Sequence, residues 1–259
     1  MLREQVTGIH LKNMRIARNR PGLFVVLSFV TLLGACSQSD TSITGQPSLA
    51  TARSALSGGS PELALNICAS LLAKRPKDGL LLVCRGDALT AMGRNAEAVS
   101  DYQAALAMDP KLAVAKIGLG RISLATDPAR AEALFLDALT SDPRNSAALN
   151  NLGIARDLQG RHADAQTAYA EAIAAAPEVR APQVNLALSL AMTGRSGEAV
   201  RIMRPIGARA DATARERHDL AAVLAMDGKS DEAARLLRPD LDGTQVDQAV
   251  SGFQSLPPR

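Results

Sequence analysis

Residues 146–179 read SAALNNLGIARDLQGRHADAQTAYAEAIAAAPEV, and this stretch decides the fold. Alanine, leucine and other strong helix formers dominate it, which favours closely packed helices over strands. Gly160 interrupts the helix-forming sequence near its middle, and Pro177 lies after the last helix-forming residues. Glycine and proline at such places are typical stop signals of helices. The stretch therefore predicts two helices joined by a tight turn.

The same pattern recurs along the chain with a period of 33 or 34 residues. The closing prolines are Pro76, Pro110, Pro143 and Pro177. An alanine of the second helix recurs as Ala64, Ala98, Ala131, Ala165, Ala199 and Ala233. The turn glycines are Gly59, Gly93, Gly160, Gly194 and Gly228. The third unit is one residue short and is expected to turn through Asp127-Pro128 instead.

The scarce aromatic residues give an independent check on this period. Only 2% of the chain is aromatic, yet Tyr102, Phe135 and Tyr169 each lie four residues after a recurrent alanine. A small residue where helices cross and a bulky one in the gap between units satisfy close packing. Phe253 lies beyond the last unit, where it is predicted to cover the open end of the array.

The period and the residue pattern together resemble the tetratricopeptide repeat. The best match to that family is in the fourth unit, at Leu152-Gly153, Ala165, Tyr169, Ala172 and Pro177. The resemblance implies an all-α fold: a superhelical solenoid of antiparallel helix pairs. Six units are expected within residues 45–247, at 45–78, 79–112, 113–145, 146–179, 180–213 and a degenerate 214–247. Residues 245–256 are expected to form a capping helix.

Residues 1–35 have the features of a secretory signal. Arg15, Arg18 and Arg20 precede an apolar run at 23–33 that is too short for a transmembrane helix. Leu33-Gly-Ala-Cys36 then resembles the lipobox of bacterial lipoproteins, which implies that Cys36 is lipidated and becomes the new N-terminus. An uncleaved N-terminal anchor is the alternative, and Met14 is a second candidate start. Residues 36–46 are predicted to be a flexible tether.

The residue after Cys36 and the net charge of the exported part indicate its location and its class of partner. Ser37 follows the cysteine where sorting rules for inner-membrane retention place an aspartate, so this resemblance implies the periplasmic face of the outer membrane. Residues 1–35 hold five basic groups and one acid, which leaves a net charge of about −1 for the remainder of a chain whose total is +3. The charge pattern therefore predicts no nucleic-acid partner.

No arrangement typical of catalysis is present in the sequence. His10 falls in the signal, and His162 and His218 lie in separate units, so a shared metal site is not expected. Both are interpreted as solvated or edge histidines. Without a nucleophile elbow or a phosphate loop, the sequence predicts no enzyme, no cofactor, no metal and no small-molecule substrate.

Cys68 and Cys84 leave two interpretations open. Cys68 occupies the bulky position of the first unit, and Cys84 lies on the next helix, which is expected to pack against it. In an oxidising periplasm the two thiols would form a disulfide if their Cα atoms lie within about 7 Å. The alternative is a pair of small buried apolar side chains.

The first helices of the units are expected to line a groove that binds peptides. Groove positions recur along one helix face at spacings of three and four residues. On that count the candidates are Val83, Asp87, Ile117, Arg121, Asn150, Asp157, Val184 and Leu188. Asn151 and Asn185 lie where peptide-binding relatives place an asparagine that bonds a ligand backbone. Ordinary solvated or packing residues are the alternative at each position.

The C-terminal third carries a more particular resemblance. Residues 184–194, 198–205, 218–228 and 231–241, together with the lipobox and the two cysteines, resemble the TadD lipoproteins of tight-adherence (Flp) pilus systems. This resemblance implies a pilotin-like assembly factor whose partners are proteins, with a secretin or other pilus components suspected. A general envelope adaptor, for example for peptidoglycan hydrolases, is the alternative.

Overall fold

The computed structural model describes residues 47–255, so the predictions on Cys36, the signal and the tether lie outside the described residues. Residues 47–255 contain thirteen α-helices and no strand, which confirms the expected all-helical fold. The helices are α1 Leu49–Ser57, α2 Pro61–Lys74, α3 Gly79–Ala91, α4 Asn95–Met108, α5 Ala113–Ser123, α6 Pro128–Ser141, α7 Ser146–Leu158, α8 His162–Ala175, α9 Arg180–Met192, α10 Ser196–Gly207, α11 Ala214–Met226, α12 Ser230–Leu237 and α13 Gly243–Gln254.

Each of the six predicted units holds one odd-numbered helix followed by one even-numbered helix. The last helix, α13, begins and ends two residues before the predicted 245–256. Side-chain caps fix the starts of several odd-numbered helices by accepting a backbone N–H of the first turn, which is worth about 1 kcal/mol each. These caps are Ser48, Asp78, Asn145, Thr213 and Asp242.

The turns inside the units depend on glycine. All five predicted turn glycines have φ between 73° and 79°, a left-handed conformation that only glycine adopts without strain. The third unit reverses differently: α5 ends at Ser123, and the Asp127 carboxylate caps α6 by accepting the Arg130 N–H at 2.9 Å. Pro128 is the first residue of α6, where its missing N–H costs nothing.

Consecutive helices are antiparallel and form two rows. The Ser146 hydroxyl at the start of α7 donates to the Ala172 carbonyl near the end of α8, at 2.9 Å. Each odd-numbered helix packs against the next odd-numbered helix, whereas within residues 47–255 the even-numbered helices do not pack on one another and meet only through long side chains, as in the ion pair of Arg204 on α10 with Glu232 on α12. We call the odd-numbered helices the inner row and the even-numbered helices the outer row. The inner row therefore carries the continuous face of the solenoid.

A pair of residues about sixteen positions apart fills the space between the two helices of each unit, and we call this pair the joint. In units 2 to 4 the joint is a glycine facing an aromatic ring: Gly86/Tyr102, Gly120/Phe135 and Gly153/Tyr169. A Cβ at any of these glycines would lie 2.4–2.8 Å from the ring, closer than real contacts allow. In units 1, 5 and 6 the same positions hold Ala52/Cys68, Ala187/Met203 and Ala221/Leu237, all buried.

The core follows the joints along the array. Tyr102, Phe135 and Tyr169 are among the largest fully buried side chains, and Val246 and Val250 of α13 close the C-terminal cluster. Phe253 packs against the same cluster while remaining partly exposed. Among the thirteen helices described, none is both long and apolar enough to cross a membrane.

Candidate peptide-binding groove

All ten predicted groove residues lie on inner-row helices, but they do not all face an open surface. Val83, Ile117 and Val184 are only 3%, 8% and 9% exposed, so the prediction that they line a groove is wrong. Adjacent inner-row helices pack directly on each other, and the three side chains belong to the buried core clusters formed by both rows. Leu188 is half-buried and packs against the C-terminal core cluster.

The N-terminal part of the inner face carries a charged group. The Tyr102 hydroxyl donates to the Asp87 carboxylate at 2.8 Å, and the guanidinium of Arg121 on the next inner helix lies 3.6 Å from the same carboxylate. Arg53 on α1 also acts on Asp87 through its charge. The Arg121 side chain is 46% exposed. A positively charged donor is therefore accessible beside a carboxylate that is already hydrogen-bonded.

Amide side chains mark the middle of the inner face. The Asn185 Nδ2 of α9 donates to the Asn150 Oδ1 of α7 at 2.8 Å, so the two predicted asparagines meet across adjacent units. Asn151 is half-buried beside them, and no hydrogen bond within residues 47–255 engages its amide. These amides can offer both donors and acceptors to an extended backbone.

Asp157, also predicted to face the groove, is instead enclosed in a network between three helices. Its carboxylate accepts the Tyr169 hydroxyl at 2.9 Å and the Ser189 hydroxyl at 2.9 Å. The His162 Nδ1 lies 2.8 Å from the same carboxylate. His162 is only 8% exposed, so of the two interpretations given to it, a solvated or an edge histidine, the solvated one is wrong. The network ties unit 4 to unit 5 and leaves Asp157 little capacity for a ligand.

Burial sets the electrostatics of these groups. Desolvation raises the pKa of Asp87, although the Tyr102 hydrogen bond and the charges of Arg121 and Arg53 oppose it. Desolvation likewise raises the pKa of Asp157 against the hydrogen bonds it accepts. The pKa values of Tyr102 and Tyr169 are raised by burial and by the neighbouring carboxylates. Both tyrosines are therefore neutral donors at physiological pH.

No cluster of His, Cys, Asp and Glu suited to a metal ion occurs within the described part of the chain. The two histidines of that part belong to different groups: His218 Nε2 lies 3.2 Å from Asp240, far along the chain from the Asp157 network. The absence of catalysis stays a prediction.

The two cysteines meet between units 1 and 2. Cys68 and Cys84 form a disulfide in the structure, with their Cα atoms 6.3 Å apart. Both residues are fully buried with Ala52 and Ile67 in the N-terminal cluster. The bond therefore lies where units 2 to 4 place an aromatic ring.

Two contacts of functional interest were not predicted from the sequence: the charge interaction of Arg53 with Asp87 and the contact of His162 with Asp157. Arg53 precedes Asp87 by one repeat period and belongs to the same charged group, and a strict count of positions along the first helices would have included it. His162 lies two residues after the turn glycine Gly160 and begins α8, which folds back on the end of α7. A buried tyrosine hydroxyl needs a partner, and that rule would have directed Tyr169 to a carboxylate on the preceding helix.

A comparison with protein families settles what this architecture is. The tetratricopeptide repeat family matches residues 49–113, 124–178 and 159–204, which together make up more than half of the chain. The chain belongs to the tetratricopeptide repeat (TPR) family. Curated protein sequences give no significant match to this TPR chain.

Solved TPR structures share the fold. PilW, described as a widely conserved type IV pilus biogenesis factor, aligns with a TM-score of 0.65 at 20% identity, over 80% of this chain and 96% of PilW. Pseudomonas aeruginosa pilF aligns with a TM-score of 0.62 at 17% identity, over 79% and 95% of the two chains. A TPR protein from Parabacteroides merdae gives 0.61 at 16% identity, over 80% and 83%. At these identities the likeness concerns the fold alone.

Proposed function

We propose that this TPR protein is a lipid-anchored adaptor that binds a segment of a partner protein on its inner row at the periplasmic face of the outer membrane. The observation that carries the proposal is the group of amides at the middle of the inner face. Asn150 and Asn185 meet across two units, and the Asn151 amide beside them is not engaged. An extended segment crossing the inner row could exchange backbone hydrogen bonds with these amides.

The finer part of the proposal is a pilotin-like role in assembling a tight-adherence pilus. It is supported by the sequence resemblance of residues 184–241 to the TadD lipoproteins and by the lipobox at Cys36. The fold shared with PilW and pilF is compatible with such a role. In this proposal the protein performs no chemistry, and a secretin or another pilus component is its partner.

The proposed mechanism is mechanical. Acyl chains on Cys36 would hold the solenoid at the membrane, and more than one chain is needed for stable anchoring. A partner bound on the inner face is then confined to the membrane surface, which raises its effective concentration without new contacts. The exposed guanidinium of Arg121 adds a site for a carboxylate of the bound segment.

Mild crosslinking of the native protein in outer membranes, followed by affinity purification and mass spectrometry, tests the proposal. We expect a secretin and pilus subunits to co-purify. Replacing both Asn151 and Asn185 by alanine should weaken their recovery by roughly two- to tenfold, the effect of losing one or two hydrogen bonds. The Asn95→Ala variant is the matched control, because Asn95 is an exposed asparagine on the outer-row helix α4.

The outcomes separate the proposals. Enrichment of peptidoglycan hydrolases without a secretin would replace the pilus role by the general envelope adaptor. Equal recovery by the variant with alanine at both Asn151 and Asn185 and by the Asn95→Ala control would refute binding at the amides. For the anchor, we expect Cys36→Ser to abolish pilus assembly while the circular dichroism of the repeat domain stays unchanged. Normal piliation in that variant would contradict the anchoring proposal.

A further inference from the structure

The topology places the starts of all inner-row helices at one edge of the solenoid. Each unit ends with an outer-row helix running back to the edge where the next inner-row helix begins. Contacts at Gly79, the first residue of unit 2, illustrate this: a Cβ there would lie 3.4 Å from Leu112 and 3.9 Å from Met108, at the end of the same unit. We call this edge, formed by the connections at 75–78, 109–112, 142–145 and 176–179 and the first turns that follow, the loop edge.

Exposed apolar side chains are concentrated at the loop edge. Within residues 47–255, the large apolar side chains that are exposed are Leu63, Leu80, Met108, Val114, Leu136 and Val179. Four of these six lie at the loop edge or in the helix turn that borders it. Leu80 and Met108, 41% and 42% exposed, line an open depression of about 830 Å³ together with Ala105 and Leu112. A clustered apolar patch of this kind marks a binding surface.

Positive charge borders the same depression. Lys74, Lys77 and Lys111 are exposed, and none of them has an ion-pair partner within residues 47–255. Two carboxylates line the depression as well: Asp78 accepts the N–H groups of Leu80 and Leu81 and pairs with Arg75 at 3.1 Å, and Asp109 accepts the N–H of Lys111 and keeps its negative charge. Three ammonium groups are therefore available to an anionic partner around an apolar floor.

The chain also enters the solenoid at this edge. Ser48 caps the first turn of α1, so the first described residues of the chain lie at the loop edge of unit 1. Cys36 lies eleven residues before Pro47 in the sequence. Eleven residues span at most about 40 Å when fully extended. An acylated Cys36 would therefore keep the start of α1 within that distance of the lipid surface.

We propose that the loop edge of units 1 to 3 docks on the lipid surface itself. This inference rests on the anchoring part of the proposed function. Leu80 and Met108 enter the boundary between headgroups and acyl chains, while Lys74, Lys77 and Lys111 contact lipid phosphates, as in other interfacial surfaces. When this edge contacts the lipid, the inner face of the solenoid is not turned toward the membrane, so it stays accessible to a protein partner.

The absence of tryptophan from the chain allows a clean test. The acylated full chain carrying Met108→Trp is reconstituted in vesicles of phosphatidylethanolamine and phosphatidylglycerol that contain brominated lipids. We expect its fluorescence to shift to shorter wavelength and to be quenched. Leu136→Trp is the matched control: Leu136 is 45% exposed on the outer-row helix α6. Its fluorescence should be unaffected by brominated lipids.

Charge replacements test the second half of the inference. In the Met108→Trp chain, each change of Lys74, Lys77 or Lys111 to glutamine should reduce the docked-to-undocked ratio about fivefold in anionic vesicles. The same changes should have little effect when phosphatidylglycerol is omitted. An equal loss in both kinds of vesicle would contradict contacts between the lysines and anionic lipid.

Acylation and vesicle flotation are read in the same samples, so the two proposals fail in different ways. If the chain is acylated and floats but Met108→Trp is quenched no more than Leu136→Trp, the docking inference is overturned and the anchor stands. Shielding of Met108→Trp by an added protein partner instead of lipid overturns it as well. If Cys36 carries no acyl chain, the anchor proposal fails and the docking inference fails with it.

Discussion

Units 2 to 4 and units 5 and 6 fill the same space between their helices in opposite ways. The first group places an aromatic ring on the second helix and removes the methyl group from the first, as in Gly120/Phe135. The second group restores the methyl group and uses a narrower aliphatic side chain, as in Ala187/Met203. The comparison teaches that the repeat conserves a filled volume and not a residue type, as close packing requires.

The choice of joint also decides where polar groups are buried. The hydroxyls of Tyr102 and Tyr169 draw the carboxylates of Asp87 and Asp157 inward. The phenyl ring of Phe135 and the aliphatic joints have no hydroxyl group and therefore need no hydrogen-bond acceptor. Units 2 and 4 therefore carry a buried polar group on the inner row, whereas units 5 and 6 are held by apolar packing alone at this position.

The largest expected effect comes from emptying an aromatic joint. Phe135→Ala should lower the free energy of unfolding by about 3–5 kcal/mol, because it leaves a cavity lined by Gly120 that has no side chain to fill it. Urea unfolding followed by circular dichroism measures the change. The neighbouring Leu136→Ala is the control, expected within about 0.5 kcal/mol since Leu136 is 45% exposed. Equal losses in the two variants would refute the role given to the joint.

Breaking the disulfide that Cys68, in the joint of unit 1, forms with Cys84 is expected to have the next largest effect on stability. The Cys68–Cys84 bond closes a short loop, with a sequence separation of 16, which corresponds to about 3 kcal/mol in the chain-entropy treatment. Mass spectrometry of the unreduced periplasmic protein should find no free thiol at either residue. Reduction should lower the unfolding midpoint of the native chain but not that of a variant with alanine at both positions. Two free thiols in the purified protein would contradict the bond.

A double-mutant cycle distinguishes the two kinds of joint. Gly120→Ala alone should cost about 1–3 kcal/mol, because the new methyl group would lie 2.5 Å from the Phe135 ring. In the Phe135→Leu background the same change reproduces the joint of unit 6 and should cost at least about 1 kcal/mol less. Gly197→Ala is the control, since its Cβ meets nothing closer than 3.7 Å. Additive costs would mean that the two positions are independent.

The smallest expected effect is a pH dependence confined to a tyrosine joint. Burial raises the pKa of Asp87 in the folded state, so the folded chain binds this proton more tightly than the unfolded chain, whose Asp pKa is about 3.9. As the pH falls from 7 toward 4, the unfolding free energy of the native chain should rise relative to that of Asp87→Asn. Urea unfolding at both pH values measures the difference, and a constant difference would contradict the raised pKa.

The sequence predicts the architecture because the signals of a repeat are local and repeated. Gly160 and its counterparts mark turns through a backbone conformation that needs glycine, and Asp127-Pro128 marks the exception. The position of Tyr169 relative to Ala165 likewise depends only on spacing along one helix. Each unit repeats the signal of the others, so a weak first helix or a missing proline does not obscure the period.

The groove is predicted less completely because it depends on contacts between units. Helical periodicity places Asn150 and Val184 on the same face as their counterparts, but it does not say how closely adjacent inner helices approach. Val184 is buried in the C-terminal core cluster, whereas the Asn150 and Asn185 side chains meet between two adjacent inner helices. Asp157 lies on the predicted face, yet Tyr169 of α8 and Ser189 of α9 turn it inward.

The two rows described above give the molecule an unequal resistance to bending. Direct packing between inner-row helices fixes the length along that row, whereas within residues 47–255 the outer-row helices meet one another only through long side chains, such as those of Arg204 and Glu232. Spreading or closing the outer row therefore changes the curvature of the solenoid by separating exposed side chains of this kind, with no packed helix interface to break along that row. The inner row therefore keeps its length while the curvature of the array changes. A partner bound there keeps its contacts on a surface that can still change its curvature to fit.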